Sequence, residues 1–369
     1  MKALVIGGTG PTGPYLINGL LEQGYDVSML HRGTHDSDEI PAHVERIIGD
    51  PHFRESLTEA LGGRTFDLII ATYGRIRYVA EVVAGHTGRL ITIGGPPSYK
   101  ALMHPQHRFP HGVQMPLPED APLVESAEEF RFGHLVRITE DAVMQGHADG
   151  HYSASHFRYP MVYGPRQLTP TIWPIMRRIM DGRRHIVLPD GGLSLVARGY
   201  SRNVAHAVLL AARQPDAAAG QIYHCADEEQ YSLAQWVQVV AGAMDAELDV
   251  IGVPDRYAHP ARRFLLFNGA DHHHLFDLYK LKSQLGYRDL VPALEATRRT
   301  VHWYRDNPPE ESAEFKAELQ EDYRAEDALV AIQREAEERL AAVPFAAREY
   351  HHPYPHPKKP GLGRDHRDR

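Results

Sequence analysis

Cysteine is nearly absent. The chain has 369 residues and one cysteine, Cys225, which excludes an internal disulfide and leaves no thiolate set for a zinc site. A basic surplus is also missing: 40 Lys and Arg face 48 Asp and Glu, a net charge of -8, so nothing draws the chain in general to nucleic acid or to an anionic membrane. No apolar run approaches the roughly 20 residues that a membrane helix needs. The first residues, Lys2 to Ile6, already read as a strand and leave no room for a signal peptide. These absences lead to the expectation of a cytoplasmic protein with no membrane partner and no nucleic acid. The hydrophobic share is 43%, ordinary for a globular protein, and histidine is abundant at 24 residues.

Residues 1 to about 165 alternate strands and helices. Short apolar strands are expected at Ala3 to Ile6, Val27 to Leu30, Val44 to Ile48, Leu68 to Ala71 and Leu90 to Ile93, and a last one at His156 to Tyr159. Thr12 to Glu22 has helical spacing. Such alternation implies parallel pairing through right-handed crossovers, a doubly wound α/β Rossmann sheet. From 166 to 305 the order is less regular and reads as a smaller, substrate-binding domain. A helix at Asn203 to Ala212 and a strand at Ile222 to Cys225 place 198–228 back against the sheet. Residues 306–345 read as a charged helical appendage, two helices with a narrow apolar stripe at Leu329, Ile332, Ala336 and Leu340. That stripe suits either a solvated surface or a homodimer contact. Residues 346–369 read as a flexible tail, in which His351, His352 and His356 lack a scaffold for a metal. No metal is expected anywhere.

The turn Gly7-Gly8-Thr9-Gly10-Pro11-Thr12-Gly13 lies between the first strand and the first helix, the context in which a glycine-rich loop cradles a dinucleotide. Gly7 permits a tight turn, Gly10 leaves the pyrophosphate unobstructed, and Gly13 lets the helix approach closely. The helix N-terminus presents free N–H groups and a partial positive charge to the phosphates. The second strand ends at His31-Arg32-Gly33. A carboxylate there would accept from a ribose 2′-hydroxyl, whereas the Arg32 guanidinium suits a 2′-phosphate, so NADP(H) is expected over NAD. Asp36 and Asp38 follow closely and leave a route for NAD.

With these residues in order, the chain resembles the extended short-chain dehydrogenase/reductases, the NAD-dependent epimerase/dehydratase family, from residue 1 to about 305. Gly7, Gly10 and Gly13 match the family's GxxGxxG turn, and Gly49-Asp50 matches its adenine-binding acidic residue. Arg158-Tyr159-Pro160-Met161-Val162-Tyr163-Gly164-Pro165-Arg166 matches the segment lining the nicotinamide pocket. Tyr231-Ser232-Leu233, Lys280 to Tyr287 and Trp303-Tyr304 resemble the family's second-domain signatures. The resemblance implies cofactor contacts from Thr9, Pro11 and Thr12, from Ala71, Thr72 and Tyr73, and from Tyr159, Pro160 and Val162. It implies substrate contacts from Ser98, Tyr99, Phe132 and Arg166, with Arg166 and Arg198 as candidates for a diphosphate.

The family's proton relay is missing. Its Tyr-x-x-x-Lys helix matches Phe132 to Glu140, yet Phe132 stands for the tyrosine and Val136 for the lysine, and neither can move a proton. Its serine pair is Gly94-Gly95, and Asn203 stands where Asp is usual. Replacement donors are sought at Tyr73, Tyr99 and Tyr163, and at His134, although His134 is turned about 200° from Phe132. His104, His107 and His111 lie in the loop after the fifth strand. His272-His273-His274 cannot all face one way, though two of them could serve the cleft. The expected function is an NADP-dependent oxidoreductase acting on a small organic carbonyl or alcohol with a non-standard proton donor. A catalytically degenerate NADP(H)-binding regulator or assembly partner is the alternative, and an epimerase, dehydratase or lyase a further one.

Overall fold

A computed structural model describes residues 1–34, 37–167, 169–265, 272–346, 353–354 and 359–361. Asp36, His351, His352 and His356 lie outside the described residues. Seven strands, β1 (Lys2–Ile6), β2 (Asp26–His31), β3 (Glu45–Ile48), β4 (Leu68–Ala71), β5 (Arg89–Gly94), β6 (Ser153–Arg158) and β10 (Gln221–His224), form one parallel sheet. Their order is β3-β2-β1-β4-β5-β6-β10, and each pair is in parallel register. The order reverses between β1 and β4. That reversal opens a crevice at the carboxyl ends of the strands, where doubly wound sheets bind ligands.

Both faces of the parallel sheet are covered, so the central strands are buried along their length instead of alternating, β1 from Ala3 and β4 throughout. Along β1, Ala3 and Val5 point into one core with Val27, Met29, Ile70 and Phe157. Helices α1 (Gly13–Glu22) and α6 (Ser201–Arg213) close that face, contributing Leu16, Ile17, Leu20, Val204 and Val208. Leu4 and Ile6 point the other way, toward α2 (Arg54–Leu61), α3 (Ile76–Val82) and α4 (Ala127–Ala148), which contribute Leu57, Val79 and Val143. Truncating one of these fully buried leucines to alanine costs about 2–5 kcal/mol.

The residues after β6 build a smaller region. It holds β7 (Met161–Tyr163) paired with β9 (Arg198–Tyr200), and β8 (His185–Pro189) paired with β11 (Asp249–Val253). Its helices are α5 (Trp173–Met180), α8 (Leu233–Gly242) and α10 (Ala293–Asp306), while α7 (Pro215–Ala218) and α9 (Tyr279–Leu285) pack with α6 in the core of the main sheet. α8 starts with a capping box, Ser232 accepting from the Gln235 N–H while the Gln235 side chain accepts from the Ser232 N–H.

Met1–Leu329 form one compact unit and Val330–Arg369 a second. The two helices expected after residue 306 are one, α11 (Ala313–Ala341), since no Gly or Pro interrupts the run at Asp322-Tyr323. The expected apolar stripe is also displaced: Ile332 and Leu340 are exposed, while within the first unit Leu319 and Tyr323 are buried. Glu326 is buried with them. It accepts from Arg178 Nε at 2.9 Å, and both side chains are 0% exposed. The rest of the Arg178 guanidinium donates to the Pro174 and Pro260 carbonyls. Losing one partner of such a pair would strand a buried charge, at a cost of about 3–5 kcal/mol. In the second unit Val343, Phe345 and Tyr354 are exposed.

Candidate active site

The glycine turn is held by backbone geometry that side chains resist. Gly7 and Gly8 have φ of +99° and +113°. A Cβ on Gly13 would lie 2.0 Å from the Gly8 carbonyl oxygen, so only glycine lets α1 begin this close to the end of β1. A Cβ on Gly10 meets nothing within 4 Å, because Gly10 faces open space. That space is a cleft of about 480 Å³ lined by the whole turn from Gly7 to Gly13 and by Arg32, Thr72, Tyr73, Tyr159, Val162 and Arg166. His31, beside Arg32 at the end of β2, also lines it, as do Thr34 and Ile93, which carried no signal in the sequence. The fit to a dinucleotide is physical. A glycine without neighbours borders the void, and the first turn of α1 directs N–H groups there with no side-chain cap from Thr12 to occupy them.

Arg32 leaves the end of β2 with its guanidinium 5.4 Å from the centre of the Tyr73 ring. Tyr73 is 39% exposed and packs edge-on against His52 at 5.0 Å. Asp50 is a neighbour of the cleft and not part of its lining. Its carboxylate accepts from the His52 backbone N–H at 3.0 Å, and that bond first, then the His52 ring and Arg32, hold it below the usual range. Ala71 is sealed in the core below the cleft. Arg166, expected at the substrate, instead lines the dinucleotide cleft and forms a two-pronged ion pair with Glu39 from the loop after β2, donating from Nη1 and Nη2. Its backbone is left-handed, φ +62°, which turns the side chain back over the cleft.

The candidate proton donors separate. Tyr73 alone lines the cleft. Tyr99 is 1% exposed, and its hydroxyl is committed to Arg158 Nη1, to the Glu119 carbonyl at 3.2 Å and to His224 Nε2 at 2.6 Å. The ring is held against β6 and β10 and does not line the cleft. Tyr163 donates to Asp227 Oδ2 at 2.8 Å in the interior, and burial raises it far above a useful range. Ser98 is fully buried. On α4, Phe132 is 56% exposed, and His134 and Val136 are half-buried; none of the three lines the cleft. The helix breaks its regular geometry at Phe130, two residues before Phe132.

A buried polar network fills the space beside β5 and β6. Arg158 pairs with Glu140 of α4, Nε to Oε2 at 2.8 Å and Nη2 to Oε1 at 2.5 Å. Burial pushes the Glu140 carboxyl up, but Arg158 wins and holds it below the usual range. His156 Nδ1 meets Thr92 Oγ1 at 2.7 Å, and burial drives this ring down to about 4 against the pull of Glu140. Gly94 completes the arrangement, since a Cβ there would lie 2.5 Å from His156 Nε2. The serine missing at that position is thus excluded by an imidazole. Asn203 is likewise fully used. Its amide donates to Asp227 Oδ1 and the Val291 carbonyl, and its oxygen accepts from the Leu290 and Val291 N–H groups.

Among the histidines, His104 packs edge-on against Phe130 at 4.7 Å. His272 and His274 approach each other, Nε2 to Nε2, at 2.6 Å, while His273 turns aside and accepts from the Leu195 N–H. No group of three His, Cys, Asp or Glu among the described residues could hold a metal, and no described helix is long and apolar enough to cross a membrane.

No family model matches the chain. Among curated proteins it is similar to a 3-diazoavenalumate denitrifying reductase of a Streptomyces species, 24% identical over 259 residues, covering 67% of this chain and 82% of that one. It is also similar to a dTDP-glucose 4,6-dehydratase of Streptomyces antibioticus, 28% identical over 147 residues, covering 39% of this chain and 40% of that one. Among solved structures, the UDP-glucose 4-epimerase of Thermotoga maritima superposes with a TM-score of 0.67 at 15% identity, covering 84% of this chain and 100% of the other. The dTDP-glucose 4,6-dehydratase of Streptomyces venezuelae, determined with NAD bound, gives 0.64 at 19%, covering 83% and 98%. The fold is the α/β, Rossmann-like one of these epimerase and dehydratase structures.

Proposed function

We propose that this protein is an NADP(H)-dependent oxidoreductase of the extended short-chain dehydrogenase/reductase family that acts on a small organic carbonyl or alcohol. The observation that carries the reading is the cleft itself, with its glycine floor open and Arg32 on its rim at the end of β2. The turn and the N-terminus of α1 would hold the diphosphate, and Arg32 the 2′-phosphate. Thr72, Tyr73, Tyr159 and Val162 would enclose the nicotinamide. When bound, the nicotinamide supplies a hydride or accepts one. The chain's own residues position the ring, exclude water and oppose escape, and the Tyr-Lys pair takes no part because Phe132 and Val136 stand in its place. The name of the reductase relative supports a net reduction over an internal oxidation–reduction cycle.

Quenching of protein fluorescence by NADPH and NADH tests the cofactor, and absorbance at 340 nm with a panel of carbonyl compounds tests the chemistry. Tighter binding of NADPH and its consumption by at least one carbonyl are expected. Tight NADPH binding with no consumption by any compound would favour the regulator instead.

A further inference from the structure

A second opening runs along α1. It is a groove of about 280 Å³ between α1 and α6, and it shares no lining residue with the dinucleotide cleft. From α6 it is lined at positions 202, 206, 209, 210 and 213, one stripe of that helix. Gly19 of α1 lets the two helices touch, since a Cβ there would lie 2.3 Å from Leu209 Cδ1. Leu209, Leu210 and Leu290 give the groove an apolar wall.

The polar side of the groove carries an unbalanced charge. Arg202, His206 and Arg213 face one carboxylate, that of Glu22. Among the described residues, neither guanidinium has a hydrogen-bond or ion-pair partner. The arginines named so far are different. Arg166 pairs with Glu39, and Arg178 with Glu326. Arg198, a sequence candidate for a diphosphate, is buried and donates to the Val196 and Tyr231 carbonyls. Two arginines without an anion, beside a cavity of this size, set the groove apart.

The positive charge converges on His206. Its ring is half-buried, 6.1 Å from the Tyr287 ring centre. Burial first, then Arg213 and Arg202, hold it below its ordinary range, so both guanidiniums act on the same point. A neutral imidazole between two cations keeps one ring N–H to donate. An anion there would meet two planar guanidinium forks and a neutral donor, a set that suits a carboxylate. The leucines beside them suit a hydrocarbon body and offer nothing to a bare inorganic ion.

We propose that the groove between α1 and α6 binds an amphiphilic monocarboxylate, its carboxylate held by Arg202, His206 and Arg213 and its hydrocarbon chain laid on Leu209, Leu210 and Leu290. The site lies outside the dinucleotide cleft and does not rest on the oxidoreductase reading. Saturation-transfer NMR titrations of the full chain test it with octanoate, acetate and octanol as probes and inorganic phosphate as a competitor. Octanoate is expected to bind at least tenfold more tightly than acetate or octanol, and to stay bound in saturating NADP+. Arg202→Gln combined with Arg213→Gln changes two exposed positions and should weaken octanoate about tenfold. Displacement by NADP+ would put octanoate in the dinucleotide cleft. Octanol binding as tightly would make the charge irrelevant, and acetate binding as tightly, or phosphate competing on equal terms, would do the same for the hydrocarbon. Any of these, an unchanged affinity in the double variant, or no transfer to octanoate overturns the inference. The comparison of wild type with double variant needs no bound NADP+, so it stands even where the cofactor reading fails.

Discussion

The two halves of the sheet end in opposite ways. At the switch between β1 and β4 the carboxyl ends open into a void floored by glycine and rimmed by Arg32. At β5, β6 and β10 the corresponding region is filled by Thr92, His156, Glu140, Arg158, Tyr99 and His224, bonded to one another and sealed from water. One half keeps space for a ligand and the other spends its polar groups on itself. A polar residue near the expected chemistry is therefore no guide to catalysis until its partners are known, and Tyr99 is the example.

Acid should break the filled half first, with the largest effect. Burial holds His156 down to about 4 and His224 down to about 3, below the ordinary 6.5. Their folded forms refuse protons that the unfolded chain accepts, so the stability they confer above pH 6.5 is lost as pH falls through the folded values. Each histidine should steepen that loss by about 1.4 kcal/mol per pH unit below 6.5. Urea midpoints at pH 7, 5.5 and 4 measure this, and an unaltered slope in His156→Gln would remove His156 from the account.

The open half should fail through its backbone. Gly13→Ala drives a methyl into the Gly8 carbonyl and should weaken NADPH binding about 100-fold in the quenching titration, with the bulk of the fold intact by circular dichroism. Arg32→Glu places a carboxylate where a 2′-phosphate is proposed. It should cost NADPH about 30-fold and leave NADH within about threefold; equal losses for both would reassign Arg32. Gly94→Ala should leave NADPH affinity alone yet lower stability by about 1–3 kcal/mol, because its methyl meets the His156 ring. The smallest change is expected from Glu39→Ala. Freeing Arg166 for the cofactor phosphates should tighten NADPH by about threefold, since an ion pair with a part-exposed glutamate is worth about 1 kcal/mol or less.

The sequence revealed most where function depends on local backbone. The glycine turn, the apolar strands and Arg32 at a strand end are each defined by neighbours within a few residues. Less was legible where a side chain's role depends on distant parts. Tyr99 looked like a cleft residue because it follows β5, and only the position of Arg158, Glu119 and His224 shows it turned inward. Arg166 read as a substrate contact until Glu39, 127 residues away, was seen to hold it over the cofactor side. Gly94 read as a missing serine, when the His156 ring beside it is the reason.

The Arg178–Glu326 pair has a consequence for the newborn chain. The two residues are 148 apart, so during synthesis at about 5–20 residues per second the guanidinium waits roughly 7–30 s for its carboxylate. Throughout that interval the groove that α11 will occupy holds an uncompensated charge and stays hydrated. The region around α5 can collapse but cannot dry until residue 326 has left the ribosome. Drying of the region around α5 thus waits for α11, and a chain stopped before residue 326 would present the quality-control machinery with a wet, unfinished seam.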